Sequence, residues 1–376
     1  MSATDKRGLT ARWAELRTYW SWGPVLRATG PREMRAIYGA WLLAFVLKVL
    51  GSSWDVSWHF KWLRDDLAPP HLLNSAGTAL VVALVVFHTY TGFGVDRIAL
   101  RFMQWGIGLF LLAVPLDLVN HAAFGLDITS WSPTHAVLYL GTAVMLVGVL
   151  RGWWLGSEPG RRRNVVMLAL WFFFVENVLF PNQHQEYGVL SLRAFDGGES
   201  TAEPILLDFA RAQGSSPAEF MLPVPSWVHP AWLVCAGLLT LVVARRTTRI
   251  TWAATIVAAV YLTYRSVAWV LLVAGDFPPS AVPYMLLAGA VVIDVATRYR
   301  LNAAAGAVAV TVATYATARL MDELAVIPPW LWWSAPAVAL VLAAEWYAVD
   351  RILDGPVGVR WSRPVGPAHR PPPQPL

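Results

Sequence analysis

Cysteine is almost missing from this chain: 376 residues hold one, Cys235. A single thiol excludes an intramolecular disulfide and any Cys-x-x-Cys motif, and its apolar neighbours mark it as a small core residue. Charge is scarce too. Asp, Glu, Lys and Arg make up 14% of the residues, against about 25% in a soluble domain. Neither a P-loop with its lysine nor a Gly-x-Ser-x-Gly elbow occurs, so nucleotide-driven transport and serine hydrolysis find no support. The first 35 residues are polar and basic and lack an apolar h-region, so no cleavable signal peptide is expected.

Apolar length is abundant. The chain is 56% hydrophobic and its mean hydropathy is +0.48. Apolar stretches run over 36–53, 71–92, 102–122, 135–151, 164–181, 229–244, 250–273, 281–297, 303–320 and 329–349. Each is about the length that crosses ~30 Å of hydrocarbon as a helix. Together they predict an all-α, polytopic membrane helical bundle of about ten transmembrane helices, in which the 21 Trp fit interfacial belts. The expected organisation is a cytoplasmic segment over 1–35, with an interfacial helix across Trp13–Arg27, and a transmembrane domain over 36–350. The longest outer loop, 182–227, reads as a lid. A Pro-rich cytoplasmic tail follows over 351–376, disordered from Pro364.

The basic residues fix an orientation. Six segments that would share one side carry 22 of the 29 Lys and Arg. By the positive-inside rule both termini are then cytoplasmic, in a plasma-membrane protein. The same segregation removes the net charge of +5 as a nucleic-acid signal. The histidines lie opposite. His59, His71, His121, His135, His184 and His229 fall at or near extracytoplasmic helix ends, leaving only His88 and His369 elsewhere. Asp294, Glu345 and Asp350 lie toward the basic side, where salt bridges are expected.

These histidines carry a pattern that occurs twice. Asp55, His59 and His71 precede Gly77-Thr78-Ala79; Asp117, His121 and His135 precede Gly141-Thr142-Ala143. Asp and His four apart share one helix face. The second His follows a proline turn, Pro69-Pro70-His71 or Pro133-Thr134-His135, and proline in the first turn sets a helix start. Pro225, Pro278-Pro279 and Pro328-Pro329 mark three similar turns, so the bundle reads as repeated helical hairpins, two of them without ligands. Glu176, His184 and His229 form a third, looser set. Two His and one carboxylate make a three-ligand site with open positions, which suits redox or hydrolytic chemistry rather than a closed structural site.

The stretch Asp55-x3-His59-x11-His71 resembles the copper-site motif, Asp-x3-His-x12-His, of the C subunit of the particulate methane and ammonia monooxygenases. The spacing is one shorter here and one longer in the second copy, and the likeness covers about 17 residues. It implies that Asp55, His59 and His71 bind copper and, by internal analogy, that Asp117, His121 and His135 do. The expectation is an integral membrane metalloenzyme, a copper- or iron-dependent oxidoreductase. It would use O2 on an apolar or lipid-soluble substrate at the extracytoplasmic face, with an electron-donor partner or a second copy of itself. A zinc hydrolase, with Asp127 or Glu186 as base, is the alternative; a metal transporter or sensor with His88 as relay, or a heme protein, comes after it.

Overall fold

A computed structural model of the protein describes residues 19–59, 67–124, 131–183, 227–277, 281–324, 327, 330–361 and 363. Ten long helices occupy most of them: α1 (Pro31–His59), α2 (Pro69–Thr91), α3 (Arg97–Phe124), α4 (Pro133–Gly156), α5 (Arg161–Gln183), α6 (Val228–Thr248), α7 (Ala253–Ala274), α8 (Met285–Arg298), α9 (Ala303–Asp322) and α10 (Ala335–Asp354). A short α11 (Pro356–Trp361) follows. No strand occurs among the described residues.

Eight of these, α1 to α7 and α9, are long and apolar enough to cross a membrane. The other two fall short for different reasons. α8 has 14 residues, about 21 Å of helix. α10 has 20 residues but carries Glu345, Asp350, Arg351 and Asp354.

The expected proline starts are present where the described residues reach them. Pro69 opens α2 and Pro133 opens α4, where Ser132 caps the helix by accepting from the His135 N–H at 3.3 Å. At the far end of α2, Gly92 turns left-handed (φ 69°) and its N–H closes on the His88 carbonyl. The turns at 278–280 and 328–329, the loop over 184–226 and the tail beyond 363 lie outside the described residues.

α1 packs on α2, and α3 on α4, through small residues. A Cβ on Gly77 would lie 2.8 Å from Lys48 Cγ and 2.9 Å from the Ala44 carbonyl oxygen. One on Gly141 would lie 2.7 Å from the Phe110 nitrogen and 2.8 Å from the Gly106 carbonyl oxygen. Small residues let helix backbones approach this closely in lipid, where dispersion rather than water expulsion holds helices together.

The end of the bundle bearing the Arg clusters is cross-tied. Arg151 forms a two-pronged pair with Asp96, at 2.6 and 3.0 Å, and neither side chain is exposed. The same guanidinium donates to the carbonyls of Trp361 and Arg363, so α4, the α2–α3 turn and the chain after α10 meet at one cation. Asp294 pairs with Arg245 at 3.1 Å and Asp350 with Arg246 at 3.0 Å, as expected; Glu345 makes no salt bridge among the described residues.

The interfacial helix expected over Trp13–Arg27 does not extend through its described part. From Trp20 onward the chain is an irregular strap, broken by Pro24 and by Leu26 at φ 64°. It lies along the α2–α3 turn, with the Gly23 N–H on the Tyr90 carbonyl (3.1 Å) and the Leu26 N–H on the Val95 carbonyl (2.9 Å). Residues 13–18 lie outside the described set.

Candidate metal site

Each of the first two hairpins turns between an Asp on its outgoing helix and a His on its returning helix. In the first, His71 Nε2 lies 2.9 Å from Asp55 Oδ1. In the second, His135 Nε2 lies 3.9 Å from Asp117 Oδ1. The wider gap has a local cause. The Thr134 hydroxyl donates to the same Asp117 oxygen at 2.6 Å, whereas the first hairpin has Pro70 one place before its histidine and no hydroxyl to offer.

The two separations fall on either side of the spacing of two atoms that share an ion. Two ligand atoms each about 2.0–2.2 Å from one metal lie roughly 3–3.5 Å apart at ordinary coordination angles. The four side chains are 20–32% exposed, open enough for an ion to enter. The expected i, i+4 partners, His59 and His121, sit on the same helices one turn beyond Asp55 and Asp117. Their side chains lie outside what is described, as do His184, Asp127 and Glu186. Among the described residues, ligand-type side chains meet in twos and no group of three assembles.

A cavity of about 180 Å³ joins the two hairpins. Asp55 of the first and His135 of the second both line it, together with Glu176 of α5. Glu176 is buried and within electrostatic reach of Arg265 on α7, itself fully buried. Asn177 donates to the Tyr139 carbonyl at 3.1 Å, tying α5 to α4 beside the cavity.

The third set divides. Glu176 faces the cavity, while His229 stands away from it. His229 is 1% exposed, with Nδ1 at 2.9 Å from Asn182 Oδ1, and Asn182 donates back to the His229 carbonyl at 3.3 Å. This clamp ties the start of α6 to the end of α5. His88 is occupied as well. Trp41 Nε1 donates to its Nε2 at 2.9 Å, and its Nδ1 lies 2.8 Å from the Phe93 carbonyl oxygen. With Nε2 accepting, Nδ1 carries the proton, and the ring is a neutral fastener.

Sequence reasoning missed Thr134, Asn182 and the surroundings of Lys48. Lys48 lies on α1 and lines the same cavity. Its ammonium donates to Asn74 Oδ1 at 3.1 Å and to Thr78 Oγ1 at 3.0 Å, and stands 3.9 Å over the Phe110 ring. The available signal was Asn74 and Thr78 themselves, polar and four apart on an apolar helix.

Compared with known proteins, the chain matches no family model, no curated protein and no solved structure, so its chemistry has to be read from its own side chains.

Proposed function

We propose that this protein is an integral membrane metalloenzyme, an oxidoreductase that uses copper, or iron in its place, with O2 on an apolar or lipid-soluble substrate. The observation that carries the reading is the repetition of one relationship. An Asp and a His approach to 2.9 and 3.9 Å across the turns of two successive hairpins, and a cavity touches one member of each pair. One such pair is an ordinary interhelical contact. Two at corresponding positions, each with a further His four residues after its Asp, make a ligand array.

In this reading Asp55, His59 and His71 hold one metal and Asp117, His121 and His135 a second, with Glu176 beside them at the cavity wall. A bound copper ion would supply activation of O2. One oxygen atom would enter a C–H bond and the other would leave as water, consuming two electrons from a donor and two protons. The protein's own part is to hold the ligands and exclude bulk water from a site whose wall includes four phenylalanines and a tyrosine. His184 and His229 belong to the proposal less directly, since His229 already has Asn182 at one ring nitrogen.

The finer architecture is part of the same proposal: about ten transmembrane helices derived from repeated hairpins, in the plasma membrane. Both termini would be cytoplasmic and the Asp–His pairs extracytoplasmic. The distribution of Arg supports it, with Arg151, Arg245 and Arg246 at the helix ends opposite the pairs.

Elemental analysis and EPR of the purified protein test the reading, repeated on His59→Ala and His121→Ala. Copper or iron in the parent and its loss from each variant is the expected result. Full metal content in both variants overturns the ligand assignment. A redox-silent zinc with retained turnover would favour a hydrolase instead.

A further inference from the structure

One cation in the cavity between the hairpins faces no carboxylate among the described residues. Of the ionisable groups that line it, Asp55 faces His71, His135 faces Asp117, and Glu176 is within reach of Arg265. Lys48 has no such counterpart. Its side chain is nine-tenths buried, and its two hydrogen-bond partners, Asn74 and Thr78, are neutral. Among the described residues no carboxylate lies within salt-bridge distance of it. An ammonium carries three N–H groups, so one remains for a further acceptor. A buried cation facing only neutral dipoles and a ring face is expensive at membrane depth, and such residues mark ligand sites.

The rest of the wall describes what would answer that charge. Phe45, Phe110, Phe173, Phe180 and Tyr139 surround the space. At about 180 Å³ it is close to the ~150 Å³ apolar cavities that accept benzene, and it is too small for a lipid acyl chain with its headgroup. Lys48 and Asp55 lie seven residues, or two turns, apart on α1, about 10 Å along the axis.

We propose that this cavity binds a small organic anion, its ionised oxygen on Lys48 and its ring-sized apolar body among the phenyl rings. An aromatic or short branched carboxylate has the right chemistry: one charge at one end, a C–H-bearing body at the other. The body would extend from Lys48 toward Asp55 and His135. That this far end is where the substrate reacts rests on the metalloenzyme reading; the binding itself does not.

The test uses the full-length protein in nanodiscs, with benzoate as probe and benzamide as its uncharged counterpart of the same shape. Thermal unfolding and calorimetric titration are run at constant ionic strength. Benzoate is expected to bind saturably and raise the melting temperature, with benzamide at least tenfold weaker. Lys48→Met should remove that discrimination, so that both probes bind alike, while Phe110→Ala weakens both. Metal content is measured on the same samples. An intact tenfold preference in a protein devoid of metal removes the metalloenzyme reading and keeps the anion site; metal without the preference does the reverse. Equal binding of benzoate and benzamide by the parent protein overturns the proposal even if Lys48→Met fails to fold. A chloride response as large as that of benzoate overturns the assignment of an organic body.

Discussion

Lys48 and Phe110 meet at 3.9 Å, ammonium over ring, from positions separated by the same step along the chain that separates Asp55 from Asp117. Corresponding positions of the two hairpins therefore touch one another. The step that carries Lys48 to Phe110 also carries Ala44 to Gly106, and each of these lies opposite the glycine of its own hairpin, Gly77 or Gly141. Two hairpins whose glycines make matching contacts face each other, and the cavity lies where they do.

The glycine contacts give the first prediction. Gly141→Leu should destabilise the protein by about 1–3 kcal/mol, because the side chain meets the backbone of α3 and only a shift of a whole helix relieves it. Gly108→Ala is the control. Its added Cβ meets nothing within 4 Å, and it should be neutral or gain up to about 1 kcal/mol from helix propensity. Melting temperatures in one detergent separate the two. Equal losses would mean that the close approach of α3 and α4 is wrong.

Thr134 gives the second. By donating to Asp117 at 2.6 Å it sets the direction of that carboxylate. Groups that orient metal ligands typically account for 10–100-fold in affinity. Under the proposed copper reading, Thr134→Val should therefore weaken one of two copper-binding events by roughly that factor and leave the other, at Asp55 and His71, unchanged. Titration with Cu resolves the two events. A uniform weakening of both would remove the independence of the two sets.

The cross-tie at the opposite end gives the third. Asp96 and Arg151 are wholly buried against each other, and removing one partner strands a buried charge. Asp96→Asn or Arg151→Met should each cost about 3–5 kcal/mol. The double variant should lose less than the sum of the two, since it strands nothing. Denaturation of the three variants forms a cycle, and strict additivity would contradict the pairing. The exposed pair Arg319–Glu323, at 2.8 Å, should contribute no more than about 1 kcal/mol by the same measurement.

His88 gives the fourth. Both of its ring nitrogens are engaged, by Trp41 and by the Phe93 carbonyl. His88→Ala should lower the melting temperature by several degrees without changing metal content. A variant of normal stability that had lost metal or ion movement would restore the relay that the sequence suggested.

The helical character of the chain and its membrane habit were legible because stretches of about twenty mostly apolar residues leave the backbone few options. The proline turns were legible for a different reason: Pro69 and Pro133 each stand just before an apolar run, and proline in the first helical turn forfeits no hydrogen bond. Asp55 and His71 were legible as partners through their spacing. What stayed hidden depends on which helices adjoin. Lys48 reads as one cation in an apolar run until Asn74 and Thr78 on α2 and Phe110 on α3 are set around it. Asn182 reads as a loop residue until His229, 47 positions on, folds back against it. The strap over 20–30 was misjudged because its Trp and Arg content suits an interfacial helix, while Leu26 at φ 64° does not.

The opening turns of α6 carry one more consequence. Over Trp232–Leu238 the helix is wound as a π-helix, which fits an extra residue into the turn. Upstream of it, His229 meets Asn182, and at its first residue the Trp232 indole N–H reaches the Val178 carbonyl at 2.7 Å; at its last, Leu238 lies where Gly289 leaves room for it. Excising Cys235 would let the segment rewind with ordinary pitch while its two flanks kept nearly the same bearing, whereas the same excision from an ordinary α-helix would swing one flank by about 100°. The imidazole would then stay on Asn182. The underwound turn thus absorbs one residue of chain between two halves of one helix, so that both ends meet their neighbours.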